Sequence, residues 1–221
     1  MPEDRPSILV DVDGTLVDTN YFHTVAWWRA FQDVGEDVPM SSIHPLIGMG
    51  TDQLVERALG RESEEASEGH PKHYEPFKEE IKAFPGAADL LRELARRGAR
   101  VVLATSSDEE DLERLREAID AEEAIDDAVS NGDVEHSKPA PDIFEAALNK
   151  FGLDPARTLV VGDTRWDVEA AAKLDLGVVC VLTGGSTREQ LEQAGAVAVY
   201  SDVAELLAEL DSSPLAKLLD G

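Results

Sequence analysis

The sequence predicts an α/β fold in which helices wrap a parallel β-sheet. After residue 85, short apolar segments of strand length alternate with amphipathic segments, which is typical of strand–helix–strand units. The predicted strands are residues 7–10, 101–104, 128–129, 158–161 and 178–182. A long stretch between the first two strands, residues 18–84, has helical patterns but no strand pattern. The chain therefore predicts a sheet domain that is interrupted by a helical one.

The predicted boundaries place residues 1–17 and 85–221 in the sheet domain and residues 18–84 in the helical domain. Pro85-Gly86 marks the return of the chain to the sheet, because this dipeptide is typical of turns. Inside the helical domain, a helix is predicted from Thr51 to Leu59. With 221 residues, the chain is long enough for one core with a small satellite domain.

Three local predictions concern the ends of helices. Residues 62–72 are polar and predict a mobile connection. Ser107 and Glu110 have the spacing of a capping box for the helix that follows. Residues 203–210 predict an amphipathic helix on the sheet, and Asp211 begins a tail that is expected to fray.

Charge and composition narrow the partners. The chain has 46 acidic and 20 basic residues and a formal net charge of -26. Such a field repels nucleic acid and anionic lipid, and no apolar run approaches the roughly 20 residues that span a bilayer. We therefore expect neither a nucleic-acid nor a membrane partner. The acidic surface has two explanations, a salt-adapted host or simple solubility. Because Cys180 has no partner and no secretory signal precedes the fold, the expected location is cytoplasmic.

Two carboxylates follow the first predicted strand directly. Asp11 and Asp13 leave the strand together, and Gly14 allows a sharp turn of the backbone behind them. Ligands of open α/β sheets bind at the carboxyl ends of the strands. Both side chains are therefore predicted to face one cavity there, although an Asp-x-Asp-Gly segment is also compatible with a simple polar turn.

Three further segments supply groups suited to binding phosphate. Thr105-Ser106 ends the second predicted strand, where a hydroxyl and backbone N–H groups can hold phosphate oxygens. Lys138 precedes a helix, and its ammonium group can neutralise a phosphoryl group or an attacking carboxylate. Asp163 follows the strand at 158–161, which places it at the same sheet edge as Asp11. Carboxylate oxygens gathered at one edge suit Mg²⁺.

In combination, these segments resemble the four ordered motifs of the haloacid dehalogenase-like superfamily. The matching residues are Asp11-x-Asp13-Gly14-Thr15, Thr105, Lys138-Pro139 and Gly162-Asp163-x-x-x-Asp167. The resemblance implies a Rossmann-like core, and the helical segment 18–84 is similar to the α-helical cap of that superfamily.

The resemblance also implies roles for individual residues. Asp11 would attack phosphorus to form an aspartyl-phosphate, and Asp13 would act as general acid and then as general base. Because a free Asp has a pKa of about 3.9, the acid role predicts that the site raises the pKa of Asp13. The implied Mg²⁺ ligands are Asp11, the backbone carbonyl of Asp13 and Asp163, with Asp167 in support. The implied phosphoryl-binding groups are Thr105, the Ser106 N–H and Lys138.

Within the superfamily, the sequence favours phosphate-ester hydrolysis. The name-giving dehalogenases typically lack the second aspartate of the first motif, which is present here as Asp13. Residues 48–59 are similar to a cap stretch of phosphoglycolate phosphatases. The predicted function is therefore Mg²⁺-dependent hydrolysis of a small phosphorylated metabolite by a monomer or homodimer.

Two alternatives stay open. His23 falls where β-phosphoglucomutases have a cap histidine that touches the substrate and the acid/base aspartate, which favours an isomerase. However, this chain has Thr51, Asp108 and Glu109 where mutases use basic residues and a Lys-Asn pair to hold a second phosphate, and two acids would repel it. A non-catalytic regulatory binding protein with this fold is the other alternative.

The remaining candidate residues carry weak signals. The basic residues of the helical segment are expected to be mostly solvated; they are Arg57, Lys72, Lys78 and Lys82. His70 and His73 have a spacing compatible with metal ligation, but they lack Cys or acidic partners in a defined array, so no zinc site is predicted. Gly184-Gly185-Ser186 resembles an anion-binding loop and is equally explained as a strand-to-helix turn.

Overall fold

The computed structural model describes residues 5–134 and 136–220. In these residues, six parallel strands form one sheet in the order β3-β2-β1-β4-β5-β6. The strands are β1 (Ser7–Val10), β2 (Arg100–Ala104), β3 (Asp127–Val129), β4 (Thr158–Gly162), β5 (Gly177–Val181) and β6 (Ala198–Tyr200). The five predicted strands are confirmed, whereas β6 was not predicted. Since the strand order reverses at β1, ligands are expected at the carboxyl ends of β1 and its neighbours.

Residues 18–84, which lie between β1 and β2, form helices and turns. Their α-helices are α1 (Asn20–Asp33), α2 (Met40–Ile43), α3 (Thr51–Leu59) and α4 (Glu64–Tyr74), with 3-10 turns at His44–Leu46 and Glu75–Glu80. The predicted helix from Thr51 to Leu59 is confirmed as α3. None of the helices in the described ranges combines the length and the apolar character that crossing a bilayer requires.

Seven α-helices accompany the rest of the sheet in the described residues. They are α5 (Ala87–Arg96), α6 (Glu109–Ile119), α7 (Asp142–Phe151), α8 (Arg165–Ala172), α9 (Arg188–Ala194), α10 (Val203–Ala208) and α11 (Pro214–Asp220). Short 3-10 turns lie at Glu122–Ala124, Asn131–Asp133, Pro155–Arg157 and Leu210–Ser212.

The sheet is buried on both faces, as the prediction of helices around a parallel sheet requires. Alternate strand residues point to opposite faces, so Ile8 and Val10 pack with α5 and α10 while Leu9 packs with α7 and α8. The apolar side chains of both clusters are almost completely removed from water. This burial supplies most of the energy that positions the strand ends.

A third apolar cluster belongs mainly to the helical segment. It contains Trp27 and Phe31 of α1 together with Leu54 of α3, and Trp166 of α8 joins it from the sheet side. The two chain connections to this segment run side by side, because Val17 pairs antiparallel with Ala83. The boundaries at residues 17/18 and 84/85 stay a prediction, and a separate cluster with paired connections supports them.

The predicted mobile connection over residues 62–72 is wrong, because α4 covers most of it. Ser63 caps this helix by accepting a hydrogen bond from the N–H of Ala66 at 3.3 Å. The buried residues of α4 are Ala66, Gly69 and Tyr74, and Gly69 lies directly against Ala30 of α1. Alanine and glycine carry almost no hydrophobic signal, so a polar sequence conceals a buried helix face.

Two other predictions at helix ends are also wrong. The cap of α6 is Asp108, which accepts a hydrogen bond from the N–H of Asp111 at 2.8 Å, so Ser107 does not form the predicted capping box. The predicted C-terminal tail is the helix α11. Its capping residue Ser213 is buried, and Leu215 is fully buried against the sheet domain.

The C-terminal helix offers a direct test. Leu215→Ala removes a fully buried side chain, and we expect the free energy of unfolding to fall by about 2–4 kcal/mol. Lys217→Ala on the exposed face of the same helix should change it by less than about 0.5 kcal/mol. Urea unfolding of both variants measures the difference. Equal values would mean that α11 does not pack on the sheet.

Candidate active site

The end of β1 brings Asp11 and Asp13 to the edge of the sheet. The N–H of Asp11 donates to the carbonyl of Val161 at 2.9 Å, which continues the β1–β4 pairing past the last strand residue. The chain then turns at Gly14, whose φ is +77°. Any side chain at Gly14 would collide with the carboxylate of Asp163 and with Asn20. Glycine is therefore required for the close approach of the first and fourth motifs.

A buried lysine joins the motifs. The Nζ of Lys138 lies 2.5 Å from Oδ1 of Asp11 and 2.7 Å from Oδ1 of Asp167, and it donates to the carbonyl of Ala104 at 3.3 Å. Lys138 is 1% exposed, and Asp163 is completely buried beside this group. The predicted convergence of Asp11, Lys138, Asp163 and Asp167 at one sheet edge is thus present in the structure.

The fourth motif holds its two carboxylates in different ways. Thr164 and Asp167 form a capping box at the start of α8, in which the Thr164 N–H and hydroxyl donate to Oδ2 of Asp167 at 3.0 and 2.6 Å. Asp163 accepts hydrogen bonds from the Thr15 hydroxyl and from the side-chain amide of Asn20, each at 3.0 Å. The capping box explains why the spacing Asp163-x-x-x-Asp167 places both residues at the same strand end.

The buried cluster around Lys138 contains more acidic than basic side chains. Carboxylate oxygens of Asp11, Asp163 and Asp167 all lie within 4.8 Å of one another, and Lys138 is the ammonium group among them. Burial raises the pKa of Asp11 to about 7, against the opposing effect of Lys138. Burial and the charges of Asp11 and Asp167 raise the pKa of Asp163 well above its ordinary value. Excess negative charge in a poorly solvated place favours a bound cation.

The chemistry of this donor set fits Mg²⁺. All three side chains offer hard oxygen atoms, which Mg²⁺ prefers, and one ammonium group does not neutralise three carboxylates. Oδ1 of Asn20 is a further buried oxygen without a hydrogen-bond partner, and the amide of the same side chain contacts Asp163. Asn20 has no sequence signal, because its role depends on the contact of α1 with the fourth motif.

Asp13 sits in a dense set of hydrogen-bond donors. Its Oδ1 accepts from the Thr19 hydroxyl at 2.6 Å and lies 3.3 Å from Nε2 of His23. Its Oδ2 accepts from the hydroxyls of Ser107 at 2.7 Å and Thr105 at 3.3 Å. These four side chains come from both the helical segment and the sheet domain.

The pKa of Asp13 moves opposite to the prediction. Burial alone would raise it, but hydrogen bonds and the charge of His23, together with hydrogen bonds from Thr19 and Ser107, lower it below its ordinary value. The predicted rise is therefore wrong for the substrate-free arrangement, since the sequence does not show how many donors face this carboxylate. Asp13 is an anion here, and an anion is suited to accept a proton.

Interleaved aromatic rings surround His23. Its ring stacks on Tyr74 at a centroid distance of 4.1 Å, and its Nδ1 lies 3.1 Å from Nε2 of His70. His70 in turn stacks on Trp27 at 4.4 Å. His70 and Tyr74 are missed functional candidates. Their i, i+4 spacing on α4, facing the same spacing of His23 and Trp27 on α1, is the signal that was available.

A cavity of about 190 Å³ lies between the helical segment and the strand ends. Its walls contain reacting groups, aromatic rings and charged groups; among them are Asp11, Asp13, His23, Ser106, Trp27, His70, Tyr74, Thr51, Lys78, Asp108 and Asp111. Lys78 is the exception among the basic residues that were expected to be mostly solvated, because its side chain is 9% exposed and its Nζ lies 2.6 Å from Oδ1 of Asp111. Arg57, Lys72 and Lys82 are exposed, as predicted.

Several contacts hold the helical segment over this cavity. The N–H of Gly50 donates to the carbonyl of Lys138 at 3.2 Å, and the amide of Gln53 donates to the carbonyl of Ser137 at 2.9 Å. The indole N–H of Trp166 donates to the carbonyl of Pro45 at 3.2 Å. The loop that carries Lys138 is thus packed directly under α3.

Comparisons with known proteins agree with this geometry. A family model described as haloacid dehalogenase-like hydrolase matches residues 7–175. A phosphoglycolate phosphatase of Rhodospirillum rubrum is 30% identical over 215 residues, covering 90% of this chain and 88% of that protein. The structure of a hydrolase from Pseudomonas syringae has a TM-score of 0.85 and 33% identity, covering 94% of this chain and 99% of that one. A CbbY variant from Rhodobacter sphaeroides, in complex with xylulose-1,5-bisphosphate, has a TM-score of 0.75 and 26% identity, with coverages of 91% and 96%.

The carboxylate group predicts a metal- and pH-dependent stability. Because the pKa of Asp11 is raised from 3.8 to about 7 and that of Asp163 is also raised, the metal-free folded protein binds more protons than the unfolded chain in this range. Its stability should therefore fall as the pH rises through that window. Mg²⁺ should raise the melting temperature, and more at high pH than at low pH.

The matched variants are Asp163→Asn and Asp37→Asn. Asp163→Asn should lose most of the Mg²⁺-induced rise in melting temperature. Asp37 is exposed, so Asp37→Asn should keep that rise. Differential scanning calorimetry with and without Mg²⁺ measures both effects. An unchanged shift in Asp163→Asn would remove Asp163 from the metal site.

Proposed function

Because the chain belongs to the haloacid dehalogenase-like hydrolase family, we propose that it hydrolyses a small phosphorylated metabolite through a phosphorylated Asp11. The chain is a phosphatase, like its phosphoglycolate phosphatase relatives. One observation carries the mechanism: Lys138 is buried against Asp11, whose carboxylate borders a cavity that also holds Asp13. An attacking carboxylate, a neutralising cation and a proton-transfer group therefore meet at one place.

In the first step, a carboxylate oxygen of Asp11 attacks phosphorus and the bond from phosphorus to the leaving-group oxygen breaks. Asp13 gives its proton to that oxygen. In the second step, water attacks the phosphorus of the aspartyl-phosphate, Asp13 takes a proton from this water, and Asp11 and inorganic phosphate are released. The proton on Asp13 is thus regained in each cycle.

Asp13 needs a proton before the first step, although its hydrogen bonds favour the anion in the substrate-free arrangement. A substrate phosphate brings negative charge close to this carboxylate, and a like charge raises the pKa of a carboxyl group. His23 is within hydrogen-bond distance of Asp13 and faces the same cavity. We assign His23 to substrate binding at this position.

The other core residues hold the phosphoryl group. Lys138 orients Asp11 and neutralises phosphoryl oxygens, while the Ser106 N–H and Thr105 donate hydrogen bonds to them. When bound, Mg²⁺ supplies positive charge opposite the phosphoryl oxygens. Its proposed ligands are Asp11, the Asp13 carbonyl and Asp163, with Asp167 holding Lys138 in place.

We further propose that residues 18–84 act as a cap over a catalytic core of residues 1–17 and 85–221. The paired connections at Val17 and Ala83 are suited to be its hinges. A cytoplasmic location, a monomeric or homodimeric state and the lack of nucleic-acid and membrane partners stay predictions. A purely regulatory role is disfavoured, since Asp11 and Asp13 line the cavity and Lys138 lies against Asp11.

The nucleophile can be tested directly. Asp11→Asn keeps the shape of the side chain but removes the attacking oxygen anion, so Mg²⁺-dependent hydrolysis of p-nitrophenyl phosphate should fall by at least about a thousandfold. Mass spectrometry after acid quenching should find a phosphate on the peptide that contains Asp11 only in the wild type. Asp18→Asn, an exposed change in the same segment, is the control. Activity near wild type in Asp11→Asn would refute the mechanism.

A β-phosphoglucomutase-like isomerase is the second candidate, since His23 does contact Asp13. The charge of the cavity argues against it. Asp108 lines the cavity as predicted, and Asp111 lines it too, whereas Glu109 is exposed and is not part of the wall. Two carboxylates beside the cavity disfavour a second phosphate, which a bisphosphate intermediate would carry. Isomerisation of β-glucose 1-phosphate without net phosphate release would reverse this ranking.

The selection against a second phosphate predicts a change in specificity. Asp111→Asn removes one carboxylate of the cavity and leaves Lys78 paired with Glu75 alone. The ratio of kcat/KM for fructose 1,6-bisphosphate to that for fructose 6-phosphate should rise about tenfold, which corresponds to about 1.4 kcal/mol. Glu109→Gln makes the same charge change outside the cavity and should leave the ratio unaltered. Equal ratios in both variants would show that Asp111 does not select the substrate.

A further inference from the structure

We infer that His70 is a positioning residue that holds the ring of His23 with its Nε2–H directed at Asp13. Nε2 of His70 lies 3.1 Å from Nδ1 of His23, and Nε2 of His23 lies 3.3 Å from Oδ1 of Asp13. The three side chains form a continuous line from α4 through α1 to the end of β1. The contribution of this line to turnover rests on the proposed function, whereas the geometry does not.

The hydrogen-bonding rules of imidazole determine the hydrogen positions along the line. A carboxylate only accepts hydrogen bonds, so Nε2 of His23 must carry the hydrogen that faces Asp13. In neutral His23, Nδ1 is then an acceptor, and the Nε2–H of His70 supplies its donor. The other tautomer of His23 would place the lone pair of Nε2 against the carboxylate of Asp13.

The surrounding rings explain why His70 can perform this role. His70 is stacked on Trp27 at 4.4 Å, and burial lowers its pKa well below the ordinary histidine value, so it stays neutral. Tyr74 stacks on His23 at 4.1 Å with an interplanar angle of 9°. Stacking limits the tilt of the His23 ring but does not choose between its two tautomers. Two polar contacts make this choice: the carboxylate of Asp13 faces Nε2 of His23, and Nε2 of His70 faces Nδ1.

The consequence is a preset hydrogen bond to the proton-transfer carboxylate. His23, Thr19 and Ser107 together fix the orientation of Asp13 before the substrate enters. If His23 occupies both tautomers, a fraction of the protein molecules lacks the hydrogen bond from His23 to Asp13. This loss acts on the chemical step and changes kcat more than KM. Because His70 also lines the cavity, direct contact with the leaving group is the competing explanation, and it would change KM.

The test uses the full chain and three variants. His70→Phe keeps an aromatic ring on Trp27 but has no nitrogen, while His70→Gln restores a donor and an acceptor. His73→Phe is the matched control, because His73 lies three residues further on the same helix and contacts Asp33 outside the cavity. ¹⁵N-resolved NMR of the histidine side chains at about pH 9, where a free imidazole is neutral, reads the tautomer of His23 without any substrate.

We expect Nε2–H as the dominant His23 tautomer in the wild type, in His70→Gln and in His73→Phe, and a mixture of tautomers in His70→Phe. With p-nitrophenyl phosphate and Mg²⁺, kcat of His70→Phe should fall about tenfold at nearly constant KM, and His70→Gln should recover most of it. The tautomer measurement still tests the role of His70 if the protein hydrolyses no phosphate ester. In that case the proposed function fails and the assignment of His70 does not.

Three results would overturn the inference. The first is an Nδ1–H tautomer of His23 in the wild type, which is decided without any variant and therefore even if His70→Phe does not fold. The second is an unchanged His23 tautomer in His70→Phe. The third is a loss in His70→Phe that appears in KM, which would assign His70 to substrate contact instead.

Discussion

The site depends on one buried ammonium group. Lys138 lies between Asp11 and Asp167, and these charges are almost completely removed from water. Withdrawing a charge from water is costly, and the cost is offset only when partners approach closely and the remaining polar atoms are satisfied. The attraction of Asp11 and Asp167 outweighs the effect of burial and raises the pKa of Lys138 above its ordinary value. The loop at Lys138, the end of β1 and the start of α8 are therefore positioned together.

The need to satisfy the polar atoms of a buried charge also explains why the helical segment and the sheet domain meet at Asp13. This carboxylate is satisfied by Thr19 and His23 from one side and by Thr105 and Ser107 from the other. Neither side alone supplies enough donors for both oxygens. The orientation of Asp13 consequently depends on how the helical segment sits on the strand ends. Substrate selection and proton transfer share this contact, because α1 carries both His23 and the cavity wall residue Trp27.

Features that depend on local sequence patterns could be predicted, whereas features that depend on contacts between distant residues could not. Five of the six described strands and the residues at their ends could be predicted, since apolar runs and polar turns are local patterns. The edge strand β6 has three residues and little contrast with its surroundings. Two of the buried residues of α4 are Ala66 and Gly69, and the packing of Gly69 against Ala30 depends on tertiary contact.

The same limit applies to the site. The positions of Asp11, Lys138 and Asp163 follow from strand ends, so their convergence was predictable. Asn20 acts across a helix contact that no local pattern reveals, and the i, i+4 spacing of His70 and Tyr74 indicates one helix face but not the side chains that it meets. The direction of the Asp13 pKa shift was predicted wrongly for the same reason, because His23, Thr19 and Ser107 decide it across contacts between the helical segment and the sheet domain.

Contacts within the site, and not the long-range field of the protein, must attract the substrate. The formal net charge of -26 repels a phosphorylated substrate at long range, and salt screens that repulsion beyond about 8 Å at physiological ionic strength. Lys78 does not provide a free cation in the cavity, since Glu75 and Asp111 already neutralise it. Attraction for the phosphoryl group then comes from Lys138, from backbone N–H groups and from a cation bound by the buried carboxylates. The carboxylates that make the site acidic are thus the same groups that make it able to bind an anion.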